Sequence, residues 1–198
     1  MGTARLKVIR RLGTPLPGLT RKEPRGQAAG PVRHGRTHRR PSDYRRQLEE
    51  KQKVRFHYGI GEIQLRRAFR AARSAPGATG EALLVDLERR LDSVVFRLGF
   101  APTIRAARQL VAHGHVRVDG RRVDRPAYRV SRGEEITLTA RGREIPDVVA
   151  AVERGPEVRL PGFLALDGGH AGRVLCEPSR GDVPFLVDEA AIVEFYAR

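Results

Sequence analysis

Apolar residues recur at helical spacing in four successive stretches between residues 42 and 112, and the pattern then changes to strand alternation. Ser42 is placed to cap a charged helix, "DYRRQLEEKQKVRFHYG", that ends near Gly59. Its apolar positions (Tyr44, Leu48, Val54, Phe56, Tyr58) are sparse, so contacts from outside the helix must stabilise it. In the second stretch Leu65, Ala68, Phe69 and Ala72 fall at i, i+3, i+4 and i+7, and the opposite face carries Arg66, Arg67, Arg70 and Arg73. No acid within that helix faces these arginines, which favours an external anion over a merely solvated face. Pro76-Gly77 breaks the pattern. Thr79 then caps a predicted third helix, "GEALLVDLERRLDSVVFRLG", with a continuous stripe of Leu84, Leu87, Leu91, Val94, Val95 and Leu98 and with Gly99 as its C′ residue. Thr103 caps a short fourth helix whose inner face is Ala107, Leu110 and Val111.

Gly114 is expected to end that helix in a left-handed conformation. His115 to Val118 alternates as a strand, Asp119-Gly120 is a two-residue hairpin turn, and Arg121 to Val123 returns. "AYRV" (127–130) and "EITLT" (135–139) read as further strands around a Ser131-Arg132-Gly133 turn. Beyond them come one short helix in "GREIPDVVAAVERG", a Pro/Gly-punctuated region containing "RVLCEP", and a last helix starting near Asp188. Ile192, Val193, Phe195 and Tyr196 make that last helix too apolar for a free tail, so it must dock. Residues 14–41, with five prolines and four glycines, bury too little to offset ordering entropy and read as an extended basic arm. The fold class that follows is α+β: helices, then helix–helix–hairpin on a small sheet.

Charge sharpens the picture. Of 38 basic residues 34 are arginine, and the formal net charge is +15. Residues 1–73 hold twenty basic and five acidic side chains, whereas residues 74–198 are balanced, so all of the excess lies in the first third. Such asymmetry points to a polyanion. No stretch approaches the ~18 consecutive apolar residues of a membrane span, and the basic region lacks an apolar face to lie on a bilayer, which leaves nucleic acid. Cys176 is the only cysteine, so an internal disulfide is excluded and a reducing compartment is expected. Pro15, Pro17 and Gly18 interrupt any amphipathic targeting helix in the acid-free first 22 residues.

Catalytic signatures do not emerge. His113 and His115 flank a turn with no cysteine or third histidine nearby, and His34 and His38 lie among prolines and glycines, so neither pair completes a zinc set. No GxSxG, HExxH or GxxxxGK[ST] occurs, and "GIGEIQ" has two of the three glycines of a dinucleotide loop. A binding surface does emerge. Arg105 and Arg108 sit at the start of the fourth helix, where free N–H groups favour a phosphate. Arg117, Arg121 and Arg122 come from the adjacent hairpin, and Arg33, Arg36, Arg39 and Arg40 from the arm. Residues 87–136 alone hold 11 arginines and six acids.

The stretch "LERRLDSVVFRLGFAPTIRAARQLVAHGHVRVDGRRVDRPAYRVSRGEEI" resembles the RNA-binding module, of the alpha-L type, of the small-subunit ribosomal protein four family. "VRHGRTHRRPSDYRRQLEEKQKVRFHYGIGEIQLRRAF" resembles that family's N-terminal region and "AAIVEFYAR" its C-terminal end, in order and over nearly the whole chain. The module alone also occurs in pseudouridine synthases, a tyrosyl-tRNA synthetase domain and a heat-shock RNA-binding protein; the flanks are specific to the ribosomal family. The resemblance implies early binding to 16S rRNA, nucleation of the small-subunit body, contact with ribosomal protein five, and an influence on accuracy where messenger RNA enters. The basic positions it implies for rRNA are Arg10, Arg11, His34, Lys51, Lys53, Arg55, Arg66, Arg67, Arg105, Arg108, His113 and His115. Many members carry a four-cysteine zinc cluster that begins just before "RRLG"; Leu6 and Ile9 stand there in this chain, so no metal or other cofactor is expected.

The sequence therefore predicts a cytoplasmic rRNA-binding constituent of the small ribosomal subunit. Its expected plan is a basic arm (1–41), a helical domain (42–86 plus about 171–198) and an inserted RNA-binding domain (87–170, core module 87–136). A modifying enzyme or stress protein with the same module is the alternative, but only ~60 residues follow the module, short of a usual ~100–150-residue domain. A DNA-binding regulator would need a longer recognition helix than the fourth.

Overall fold

The computed structural model describes residues 2–21 and 42–197. Its helices are α1 (Gly2–Leu12), α2 (Asp43–His57), α3 (Glu62–Arg73), α4 (Thr79–Glu88), α5 (Leu91–Arg97), α6 (Ile104–Ala112), α7 (Ala140–Arg143), α8 (Pro146–Arg154) and α9 (Glu189–Ala197). The strands are β1 (Val116–Val118), β2 (Arg121–Arg122), β3 (Glu135–Leu138), β4 (Leu164–Leu166) and β5 (Ala171–Val174), paired antiparallel in the order β2-β1-β3-β5-β4. The chain is α+β, as its patterning predicts.

Two apolar cores form. One lies among α2, α3, α4 and α9 and includes Val54, Tyr58, Leu65, Phe69, Leu84, Leu87 and Ile192; the other lies under the sheet and α5, α6 and α8 and includes Leu91, Val95, Phe96, Val111, Ile136 and Val148. Of the caps read from the sequence, Ser42 accepts from the Arg45 N–H and Thr103 from the Ala106 N–H, whereas Thr79 is the first residue of α4 and Ala78 stands at its cap position. Asp119 and Gly120 both have positive φ, the geometry of a tight hairpin turn.

Several expectations need correction. The predicted third helix is two. Arg90 is extended (φ −65°, ψ 137°), and the Leu91 N–H donates to the Tyr128 carbonyl at 2.8 Å while Val130 N–H donates to Arg89 O at 2.9 Å. The break lets the apolar stripe serve both cores: Leu84 and Leu87 face one, Leu91 to Leu98 the other. It also takes up residues 127–130, which form an isolated bridge to Arg90 through Arg129 instead of a strand of the sheet. Secondly, "GREIPDVVAAVERG" forms α7 and α8 rather than one helix, because Pro146 suits the first turn of a new helix but not the interior of one. Thirdly, the described part of the expected arm is not extended. Residues 2–12 are helical, Ile9 and Leu16 are buried, and Leu12 and Leu19 pack on the helical core. Ile9 and Leu12 lie on α1 and Leu16 and Leu19 in the segment that follows it, apolar positions that the proline and glycine content masks. Residues 171–174 pair as β5 with both β3 and β4 and so belong to the sheet.

Buried charges tie the two cores together. Arg97 donates to Glu88 at 3.0 and 2.7 Å, and the Tyr58 hydroxyl donates to the same carboxylate at 2.6 Å. Asp92 accepts from Arg90 at 2.9 and 2.8 Å and from Arg108 at 2.9 and 2.6 Å. Arg108 reaches on to the Tyr58 carbonyl at 2.9 Å and to the Gly59 carbonyl.

His57 lies beside this network, buried against Phe185 at 4.3 Å between ring centroids, with no hydrogen-bond partner for either ring nitrogen among the described residues. Burial first, and then the Arg97 charge, hold its pKa well below the usual 6.5, against a smaller opposing pull from the Pro17 backbone. The folded state keeps the ring neutral while the unfolded chain takes up a proton below pH 6.5, so stability falls as the pH drops below that value. Urea midpoints measured from pH 7.5 to 5 should decline on the acid side, and His57→Leu should flatten that part of the decline; an equally steep curve in the variant refutes the assignment.

Candidate nucleic-acid interface

The opening between α6, the β1–β2 hairpin and α7 gathers the basic residues of the module. Gly114 ends α6 at φ +73°, and its N–H donates to Val111 O at 2.8 Å. The Arg122 guanidinium lies directly over Gly114, in space that a Cβ there would occupy, and donates to the His113 carbonyl at 3.1 Å. A side chain at residue 114 would therefore displace Arg122 as well as strain the turn. Arg117 is the cross-strand partner of Arg122. His115 O accepts from the Thr139 N–H at 2.9 Å, which brings α7 and Arg141 alongside. The result is an open groove of about 350 Å³ lined by His113, His115, Arg117, Arg122 and Arg141, with no carboxylate on its wall. Arg121 is exposed beside it. Two like charges opposed across a strand pair without an acid cost stability, and an arriving phosphate would relieve that cost.

A second basic surface lies on α3. Arg66, Arg67, Arg70 and Arg73 are exposed, and none makes an ion pair with a described residue. Arg66, Arg70 and Arg73 share a shallow groove of about 280 Å³ with Phe69, Phe195 and Tyr196. The Tyr196 hydroxyl donates to Glu62 at 2.9 Å; burial and that carboxylate push its pKa well above 10, so it stays protonated. Guanidinium groups beside aromatic faces suit a nucleic-acid strand, which offers phosphates and bases together.

The remaining sequence-predicted positions divide. Arg10 and Arg11 are exposed on the last turn of α1, Arg105 on the first turn of α6, and Arg55 is half-buried near it. Lys51 and Lys53 have internal partners: Lys51 is buried, pairs with Glu62 at 2.9 Å and lies 4.4 Å from the centroid of Phe195, and Lys53 pairs with Glu50 at 2.6 Å. Arg108 joins the two cores, as described above. Arg33, His34, Arg36, Arg39 and Arg40 lie outside the described residues. Arg141 was not among the sequence candidates; its signal is the Thr139 side chain, which caps α7 by accepting from the Gly142 N–H and so aims the helix start at the groove.

Among the described residues no group of three or more His, Cys, Asp or Glu side chains is placed to hold a metal ion, and Ile9 is a buried hydrocarbon side chain with no ligating atom. Among the same residues no helix is long and apolar enough to cross a membrane.

Residues 3–88 match the family described as "Ribosomal protein S4/S9 N-terminal domain", and residues 89–136 match the S4 domain family. The chain is 48% identical over 195 residues to small ribosomal subunit protein uS4 of Methylobacillus flagellatus, an alignment covering 98% of this chain and 95% of that protein. It belongs to the uS4 family. Similarity of the same order extends to uS4B of Nitrosomonas europaea (45% over 195 residues, 98% and 95% covered) and uS4 of Synechococcus sp. JA-3-3Ab (48% over 197 residues, 98% and 96% covered). The boundary between the two matched families, at residues 88 and 89, coincides with the α4–α5 break, so in this uS4 chain the passage between cores is also the passage between family regions.

Proposed function

We propose that this chain is a structural constituent of the small ribosomal subunit that binds 16S rRNA directly and early, nucleates the subunit body and contributes to translational accuracy. The observation that carries the reading is the carboxylate-free groove of Arg117, Arg122, Arg141 and two histidines on the S4 domain. Membership of a ribosomal-protein family makes it a binding protein and not an enzyme. The rRNA surface we assign comprises Arg10, Arg11, Arg55, Arg66, Arg67, Arg105, His113, His115, Arg117, Arg121 and Arg122, with Arg70, Arg73 and Arg141 added from their positions. Arg33, His34, Arg36, Arg39 and Arg40 remain in this assignment on the sequence reading. Lys51, Lys53 and Arg108 are assigned to holding the fold that presents the others.

The same reading includes a helical domain interrupted by an inserted RNA-binding domain, contact with ribosomal protein five, and proximity to messenger RNA where it enters the subunit. Purified chain is expected to bind protein-free 16S rRNA, with a log–log salt slope of several units, since each neutralised phosphate adds roughly 0.7–0.9. Affinity that is independent of salt, or equal for an unrelated RNA of the same length, would count against it.

A further inference from the structure

A third opening lies apart from both basic surfaces, where α1, the C-terminal end of α2 and the start of α6 meet. It measures about 490 Å³, and unlike the other two it is mainly apolar inside, with Leu19, Phe56 and Ile104 on its walls. Its rim carries Arg5, Arg55 and Arg105, and none of the lining residues is Asp or Glu. The Arg55 guanidinium stands 5.6 Å from the centroid of the Phe56 ring. Arg105 is exposed on the first turn of α6, with its own backbone N–H free of any acceptor among the described residues. The walls are held firmly: Ile104 N–H donates to the Gly18 carbonyl at 3.1 Å, Arg5 donates to the Leu19 carbonyl at 3.4 Å, and Arg108 fixes α6 to the Tyr58 and Gly59 carbonyls.

We propose that this cleft takes one unstacked nucleotide of the bound RNA, its base against Phe56, Leu19 and Ile104 and its flanking phosphates on Arg5, Arg55 and Arg105. The proposal rests on the RNA-binding reading above. An apolar chamber alone would equally suit a partner's side chain. Three guanidinium groups around its mouth, with no carboxylate in the lining, suit a group that is flat and apolar in one part and anionic at its edges. A nucleotide has that combination, and RNA recognition characteristically uses bases freed from their stack and laid on aromatic or guanidinium planes. His57 also lines the cleft, its ring buried and both nitrogens unpaired among the described residues. With no other buried polar side chain in the lining, the cleft selects an extruded base chiefly by shape.

Ultraviolet cross-linking of the full chain bound to 16S rRNA, followed by peptide mapping, tests this. The expected result is a single-nucleotide adduct on the peptide that begins at Phe56. Stacking on an aromatic ring is worth roughly 1–3 kcal/mol per base, so Phe56→Leu should lose the adduct and weaken binding about tenfold. Arg105→Gln, a change at an exposed position, should flatten the salt slope by about 0.7–0.9, with circular dichroism unchanged. Normal rRNA binding with adducts only at other peptides, or wild-type affinity and slope in both variants, overturns the cleft assignment and leaves the RNA-binding reading standing. Failure of the wild-type chain to bind 16S rRNA at all overturns both.

Discussion

Glu88→Ala is expected to destabilise the protein by about 3–5 kcal/mol, because it leaves Arg97 charged and buried with its partner gone. Glu88 is 0% and Arg97 2% exposed, and the same substitution also strips the Tyr58 hydroxyl of its acceptor. The Asp182 carbonyl, 3.3 Å from Arg97, can hold one N–H but cannot neutralise the guanidinium. Urea unfolding at pH 7 measures the loss. The control is the double variant Glu88→Leu with Arg97→Leu, which removes both charges and should recover most of the stability, since apolar replacement of a buried pair is often neutral. A loss below about 1 kcal/mol for Glu88→Ala would mean that water reaches this network and that it does not join the cores as described.

Replacing Arg117 and Arg122 together with glutamine is expected to weaken 16S rRNA binding at least about tenfold, as hydrogen bonds to charged groups are worth roughly 1.5–3 kcal/mol each. The salt slope should flatten by about one and a half units if both side chains meet phosphate. The free protein should be no less stable. Removing like charges from facing positions on β1 and β2 is favourable, and it offsets the loss of the exposed Arg122 hydrogen bond to His113. A melting temperature that drops while the slope stays at its wild-type value would show that the two arginines serve the hairpin and not the RNA.

Local chemistry made much of the fold legible. Ser42, Thr103, Gly99, Gly114 and the Asp119-Gly120 pair each specify a cap or turn by a mechanism confined to a few residues, and each lies where that mechanism puts it. What sequence could not reveal depends on distant partners. The break at Arg90 has no local signal, since "LERRLDS" continues a good helical pattern; it exists because Tyr128 and Arg89 exchange backbone hydrogen bonds with segments about forty residues apart. Likewise a basic residue reads the same whether its charge faces solvent or an internal carboxylate. In the sequence Lys51 is indistinguishable from Arg55; it is Glu62 and Phe195 beside it that set it apart. Arg108 was placed at a helix start that suits phosphate, but Asp92, 16 positions earlier, takes its guanidinium. The α1 region shows the opposite: its proline and glycine content conceals Ile9, Leu12, Leu16 and Leu19, apolar residues that turn inward.

The placement of α9 has a consequence for the order in which the molecule is made. Its Ala191 and Ile192 are buried, and it lies against α2 and α4, elements synthesised more than a hundred residues before it. The sheet core needs nothing beyond β5, whereas the helical core stays open on one side until α9 has left the exit tunnel. On a translating ribosome the sheet core, encoded later, should therefore finish first, and the helical core, although begun earlier, should close only after it.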